Sequence, residues 1–329
     1  MSVDTSLFNL RTLVLENDLI RTSILLDRGA NMYEFVSKKE DFDFLFHHPR
    51  VKPRAPVLGA LAGIDNWWHG GIDEILPTAF FSNYRGDDLP IIGELWAQNY
   101  ECKILTQKPD ELEAYLQTST VISPFRIEKW VSLREGEPSL NVRTRITNTG
   151  YSDYHFLWGY HCTLAVNPDC RIDIPAGKVI VEDFSASGSR FKPGLEYQWP
   201  HPTDNSGKPH DLSKVLDSSS KMHEFHYATN LKSGWLAVTN SKRKIGFGIS
   251  FPKEVLTTIF VWINYGVWRN CYNLGLYPMS GYPGPLHKAI EQGTCSHLDA
   301  GKSLECQVKF LTYSGTSMVS GIGIDGKVT

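Results

Sequence analysis

Residues 126–134, Arg-Ile-Glu-Lys-Trp-Val-Ser-Leu-Arg, and 140–147, Leu-Asn-Val-Arg-Thr-Arg-Ile-Thr, alternate polar and apolar side chains over most of their length. That period of two marks β-strands with one face on a core and one in water. The turn-forming Glu135-Gly136-Glu137-Pro138 joins them. The same pattern gives strands at 11–16 and 20–26 around the hairpin turn Asn17-Asp18. Further strands are expected at 32–36, 42–46, 100–105, 113–121, 155–164, 234–239, 245–251, 256–262, 272–276 and 304–313. One short helix is expected at 285–291, where Pro285 fits a first turn. Strands never alternate with long amphipathic helices, which argues against a dinucleotide-binding fold and an eight-stranded α/β barrel. No internal repeat points to a propeller. The expectation is an all-β protein, a single domain over 1–329 built as a large sandwich, with a weakly packed Gly/Ser-rich tail at 314–329.

Periodicity fades over 47–96, where Pro, Gly and Trp dominate, and over 185–220, rich in Ser, Gly, Pro, Asp and His. A long connection of such residues more often builds a binding surface than a core. The chain holds 16 Phe, 14 Tyr and 9 Trp, and strands account for much of that. Trp67, Trp68, Trp96, Trp262 and Trp268 fall in or beside connections, so several of them are expected to line a cleft.

Acidic and basic residues nearly cancel, at a formal charge of -3. No Lys/Arg tract is present to follow a phosphate backbone, so a small neutral or mildly anionic ligand fits better than nucleic acid. Six scattered cysteines lack metal-ligand spacing and read as buried, reduced thiols. The opening residues carry no signal-like pattern, and no run approaches the roughly 20 apolar residues of a spanning helix. A soluble, cytoplasmic protein without a membrane partner is expected, as monomer or homodimer.

The stretch Trp67-Trp68-His69-Gly70-Gly71-Ile72-Asp73-Glu74 sets two carboxylates beside a tandem tryptophan. Carboxylates grip sugar hydroxyls, and aromatic rings cover the apolar face of a pyranose. Trp68, His69 and Asp73 are therefore candidate substrate contacts, with Trp96 and Trp262 as further stacking surfaces. Neighbours in an extended segment face opposite ways, so Asp73 and Glu74 are not automatically a dyad. Glu74, presented by a turn after the glycine pair, is the favoured one. His161 in Gly159-Tyr160-His161 is a candidate proton carrier, since an imidazole titrates near neutral pH. Alternation puts it on one face with Leu157 and Gly159, opposite Trp158, Tyr160 and Cys162. His223 and His226 would point to opposite faces of a strand and make a poor metal pair. Arg126 could orient a hydroxyl or carboxylate with its guanidinium fork, as could Arg85 and Arg269. No compact ligand set indicates a metal, and no cofactor is expected.

Several motifs follow one another in a telling order: Leu26-Asp27-Arg28-Gly29-Ala30, Pro124-Phe125-Arg126-Ile127-Glu128-Lys129, Asn148-Thr149-Gly150, Trp158-Gly159-Tyr160-His161, Asn273-Leu274-Gly275-Leu276-Tyr277-Pro278 and Leu298-Asp299-Ala300-Gly301-Lys302-Ser303. Together they resemble the galactose mutarotase-like superfamily of aldose 1-epimerases, over nearly the whole chain. The resemblance implies that family's β-supersandwich, a small carbohydrate as ligand, and cofactor-free exchange of anomers. In such enzymes a glutamate takes the C1 hydroxyl proton while a histidine protonates the ring oxygen. The resemblance casts His161 as that acid.

Two positions depart from the pattern. Tyr277 stands where the family's glutamate precedes proline, and Ile92 stands where relatives often carry a histidine before a glycine. Glu74, Glu94 or Tyr277 is accordingly expected to supply the base of a sugar epimerase, with the Tyr277 hydroxyl in the same cleft as His161. The alternatives are a non-catalytic carbohydrate-binding protein on the same scaffold, or an isomerase or lyase of a uronate or other modified sugar.

Overall fold

In the computed structural model, which describes residues 2–56, 64–183 and 189–329, the alternating segments pair into two large antiparallel sheets. An eight-stranded sheet runs in the order Cys170–Asp173, Trp235–Asn240, Ile245–Ser250, Ser303–Ser314, Ser139–Asn148, Phe125–Arg134, Glu111–Ser119, Glu101–Gln107. A twelve-stranded sheet runs Ser2–Leu7, Leu10–Glu16, Ile20–Leu25, Asn31–Ser37, Ile72–Ile75, Gly159–Leu164, Tyr272–Met279, Thr258–Tyr265, Met222–Thr229, Lys178–Val181, Glu196–Tyr197, with Phe42–Asp43 beside Asn31–Ser37. The α-helix expected at 285–291 is Leu286–Glu291. No helix among the described residues is long and apolar enough to cross a membrane.

The main core lies between the sheets, filled largely by alternate residues of their central strands. Ile127, Val131 and Leu133 enter it from the smaller sheet, and Tyr160, Cys162 and Val261 from the larger. A second apolar cluster occupies the other face of the larger sheet. It gathers Trp68, Ile75, Phe225, Phe260, Trp262 and Tyr277, together with Leu286 and Ala289 of the helix. One sheet thus serves two apolar layers, which is why its central strands are buried on both faces and lose the polar alternation.

That double burial explains where the expected strands fell short. Ile72–Ile75, inside the stretch read as a connection, is a strand with all four residues buried, so no polar face marked it. Met222–Thr229 is a central strand for the same reason. The strand expected at 155–164 divides into Tyr154–Phe156 and Gly159–Leu164, with Leu157 and Trp158 between them.

The connection at 185–220 is anchored where it is described. Arg190 donates through Nε and Nη2 to the two oxygens of Glu224, each at 2.8 Å. The tail departs from expectation as well. Val319 and Ile322 are buried against Trp235, Ala237 and Leu311, and the Val319 amide donates to Asp173 Oδ2 at 3.0 Å.

Candidate active site

Five adjacent strands of the larger sheet set the geometry: Ile72–Ile75, Gly159–Leu164, Tyr272–Met279, Thr258–Tyr265 and Met222–Thr229. In their register Asp73 lies beside His161 and Glu74 beside Tyr160. Tyr277 lies beside Phe260, and Trp262 beside Phe225. His161, Tyr277, Phe260, Trp262, His223 and Phe225 face away from the smaller sheet. There they floor a cavity of about 170 Å³ walled by Trp68, Ile75, Ala79, Phe80, Ile91, Ile92 and Trp268, with Ile64 and Asp65 completing the lining. Among the described residues the wall holds no lysine or arginine, and the one carboxylate, Asp65, is exposed.

His161 and Tyr277 stack, with ring centroids 4.3 Å apart and planes 28° from parallel. Trp68 stands edge-on to His161 at 6.4 Å, to Trp262 at 5.7 Å and to Trp268 at 5.3 Å. The phenol lies flat over Gly275, where a Cβ would come 2.3 Å from the hydroxyl, so only glycine leaves room for it. Four polar atoms of this lining are buried without a hydrogen-bond partner among the described residues: Trp68 Nε1, Trp262 Nε1, His161 Nδ1 and the Tyr277 hydroxyl. Buried polar atoms are rarely left so, and their concentration in one small cavity makes it the candidate ligand site.

Burial sets the charge states. It pulls the His161 pKa from 6.5 down to about 3 and lowers that of His223, against the opposing pull of Glu224. Burial also holds the Tyr277 hydroxyl well above its ordinary range, helped by Cys162 and Asp73. At neutral pH, His161 is thus an uncharged acceptor and Tyr277 an uncharged donor.

Of the residues singled out in the sequence, His161, Tyr277, Trp68 and Trp262 meet in this cavity, and so does Trp268. The others lie elsewhere, each for an identifiable reason. Glu74 shares its face with Tyr160 and points into the inter-sheet core. There it accepts a hydrogen bond from Trp158 Nε1 at 2.5 Å and pairs with Lys129 of the opposite sheet. Glu94 is a structural clamp, because its carboxylate accepts from the Val121, Ile122 and Ser123 amides and from the Ser123 hydroxyl, at 2.6–2.9 Å.

Asp73, Trp96 and His69 form a buried group outside the cavity lining. Asp73 Oδ1 accepts from Asn31 Nδ2 at 2.9 Å and faces Arg28 Nη1 at 3.4 Å, while Arg28 lies over the Trp96 ring at 4.6 Å. Burial raises the Asp73 pKa and Arg28 opposes it. His69 is driven well below its ordinary range by burial and then by Arg28. Arg85 is on the surface, paired with Asp153. Arg126 sits on the outer, wet face of the smaller sheet beside Glu128, so the bulk of both sheets separates it from the cavity.

The sequence reading missed His223, Phe225 and Phe260 as site residues. The opposite-face placement of His223 and His226 held the signal for the first: His223 lines the cavity, while His226 turns to the other face beside Tyr197 and Glu224. Asp65 carried no local signal. Ile92 lines the wall with φ 56, a left-handed conformation seldom taken by a β-branched residue.

The family model described as Domain of unknown function (DUF4432) matches residues 9–311. No curated protein matches the chain. Solved structures do. The Slr1438 protein from Synechocystis sp. PCC 6803 superposes with a TM-score of 0.64 at 19% identity, over 96% of this chain and 98% of that one. A galactose mutarotase-like protein from Clostridium acetobutylicum gives 0.66 at 10% identity, over 94% and 96%. A galactose mutarotase related enzyme from Lactobacillus acidophilus gives 0.60 at 14% identity, over 93% and 98%. At such identities the likeness establishes the fold and nothing finer: the two sheets form the mutarotase-like β-supersandwich that the sequence led one to expect.

Proposed function

The chain belongs to the family described as a domain of unknown function (DUF4432), and for it we propose a cofactor-free sugar epimerase acting at an anomeric carbon with His161 and Tyr277 as its acid–base pair. The observation that carries this reading is the stacked pair on the cavity floor, one ring an uncharged acceptor and the other an uncharged donor. The mutarotase-like names of the structural neighbours supply the reaction class by analogy.

An imidazole that stays neutral down to about pH 3 carries no imidazolium proton to give at neutral pH. This reverses the role the resemblance assigned to His161. As base, His161 takes the proton of the C1 hydroxyl. The C1–O5 bond breaks, and O5 takes the proton of the Tyr277 phenol. The open aldehyde turns about C1–C2. On closure, O5 returns its proton to the Tyr277 phenolate while His161 returns its own to the new C1 hydroxyl. Both oxygens sit on one carbon, so two groups side by side on one floor can serve them. Burial makes both transfers costly, because it weakens His161 as a base as well as Tyr277 as an acid, and the charges that form on the two groups must be offset by sugar binding. Trp68, Trp262 and Trp268 cover the C–H face of the ring.

Anomer exchange of aldoses, followed by NMR, tests the reading. The natural protein should accelerate exchange of at least one aldose, and Tyr277→Phe and His161→Asn should each slow it by about 10²–10⁴-fold with the fold intact. Asp65, which lines the same cavity, gives a second reading in which its carboxylate is the base. Loss of exchange in Asp65→Asn with Tyr277→Phe unaffected would select that one. Sugar binding without any acceleration would leave a carbohydrate-binding protein.

A further inference from the structure

Around this cavity stands a set of cations that have no carboxylate partner among the described residues. Arg50, Lys52 and Arg54 occupy alternate, exposed positions. The Arg54 guanidinium lies 4.2 Å over the ring of Trp67, the neighbour of the wall residue Trp68. Arg269 lies 4.9 Å over the ring of Trp268, another wall residue. Its Nη2 donates to Asn66 Oδ1 at 3.2 Å, next to Asp65. Arg50 donates to the backbone carbonyl of Arg269 and so ties the two rim turns together.

Arg269 and Asn270 are both left-handed, at φ 52 and 53, a conformation that asparagine takes readily but that an arginine keeps only where its surroundings enforce it. His48, lowered by burial, is pushed further down by Arg50 and Arg269, and it stands edge-on to Trp68 at 5.9 Å. The field of both guanidiniums therefore reaches the wall. Among the described residues none of these four cations forms an ion pair. The contacts of the three arginines are indole faces, an amide and a backbone carbonyl. The cavity itself, with no lysine or arginine in its wall, would leave a buried anion unpaired.

We propose that the sugar carries an anionic substituent, phosphoryl or carboxylate, that stays outside the aromatic cavity and is gripped at its mouth by Arg50, Arg54 and Arg269. This rests on the reading of the cavity as a sugar site. The guanidinium fork matches the paired oxygens of either group, and a guanidinium already lying on an indole face has less freedom to lose. Asp65, the carboxylate of the lining, opposes the anion with one charge against the three guanidiniums.

The tryptophans of the wall make intrinsic fluorescence the reporter. Glucose, galactose and mannose, their uronates and their 6-phosphates are titrated into the full chain at low and high salt. A uronate or a 6-phosphate should bind at least about tenfold tighter than its parent sugar, and the gain should shrink as salt screens the mouth. Which anion gains tells carboxylate from phosphoryl recognition.

In the Arg50→Gln/Arg54→Gln/Arg269→Gln variant the ratio of anionic to neutral affinity should fall to about one. If circular dichroism shows that this variant misfolds, Arg50→Gln/Arg54→Gln replaces it, with an expected fall in the ratio of about threefold or more. A neutral sugar that binds as tightly as its anionic forms, or a preference that survives these substitutions, overturns the inference and leaves the cavity a neutral-sugar site. No response to any sugar, neutral or anionic, overturns both readings.

Discussion

His161 shows how one residue couples the site to pH. Its folded pKa of about 3 lies below the 6.5 of an exposed imidazole, and burial is the leading cause. Between those values the unfolded chain binds a proton that the folded chain refuses, so stability falls as pH drops through that window and levels off below it. Burial lowers His48, His69, His155 and His223 in the same direction. Denaturation at about pH 7 and about pH 5 should show His161→Asn losing less stability than the natural chain, by up to about 1.4 kcal/mol per pH unit. Equal losses would mean that His161 protonates in the folded state. For the same reason the rate of anomer exchange should show no inflection near the ordinary imidazole value.

Elements, not single residues, decide what Glu74 does. The Ile72–Ile75 strand lies between Asn31–Ser37 and Gly159–Leu164, and its pleat sends Asp73 and Glu74 to opposite faces. Glu74 meets Lys129, which reaches across from the Phe125–Arg134 strand, in a pair buried on both sides. Breaking such a pair from one side leaves an uncompensated charge and costs about 3–5 kcal/mol, whereas replacing both partners by well-packed groups comes close to neutral. Lys129→Met alone should therefore be strongly destabilising by chemical denaturation. Glu74→Gln with Lys129→Met, which keeps an acceptor for Trp158, should recover most of the loss. A double variant as unstable as the single one would show that the pair does not act as a unit. Sugar binding should be unchanged in the folded double variant, because the pair faces away from the cavity.

At the scale of the molecule, one core joins both sheets, and the tail closes the far side of the smaller one. Val319 and Ile322 cover Trp235 and Leu311, and burying each such aliphatic side chain contributes roughly 1.5–3 kcal/mol. A chain ending after Gly315 should consequently unfold at lower denaturant concentration, with fluorescence and circular dichroism still coincident because the inter-sheet core is intact. Its cavity tryptophans should respond to sugar as before. Non-coincident curves for the natural chain would mean that the sheets unfold separately.

The sequence by itself determined the strands with one wet face. The period-two runs at 126–134, 140–147 and 304–313 appear as Phe125–Arg134, Ser139–Asn148 and Ser303–Ser314, and the ordered motifs carried the architecture. It also put His161 opposite Tyr160 and Cys162, and it singled out Tyr277 and Trp68. Strands buried on both faces, Ile72–Ile75 above all, were hidden because alternation is visible only where one face meets water.

Which face meets the cavity was decided by tertiary structure alone. A pleat states that Asp73 and Glu74 diverge, yet it does not say which side holds the other sheet. The same limit misassigned Glu94, whose partners lie near Ser123, and Trp96, which lies against Arg28. His161, Tyr277, Trp68 and His223 come from four distant parts of the chain. Their meeting depends on strand order and register, which are set by long-range pairing and burial and leave no trace in local periodicity.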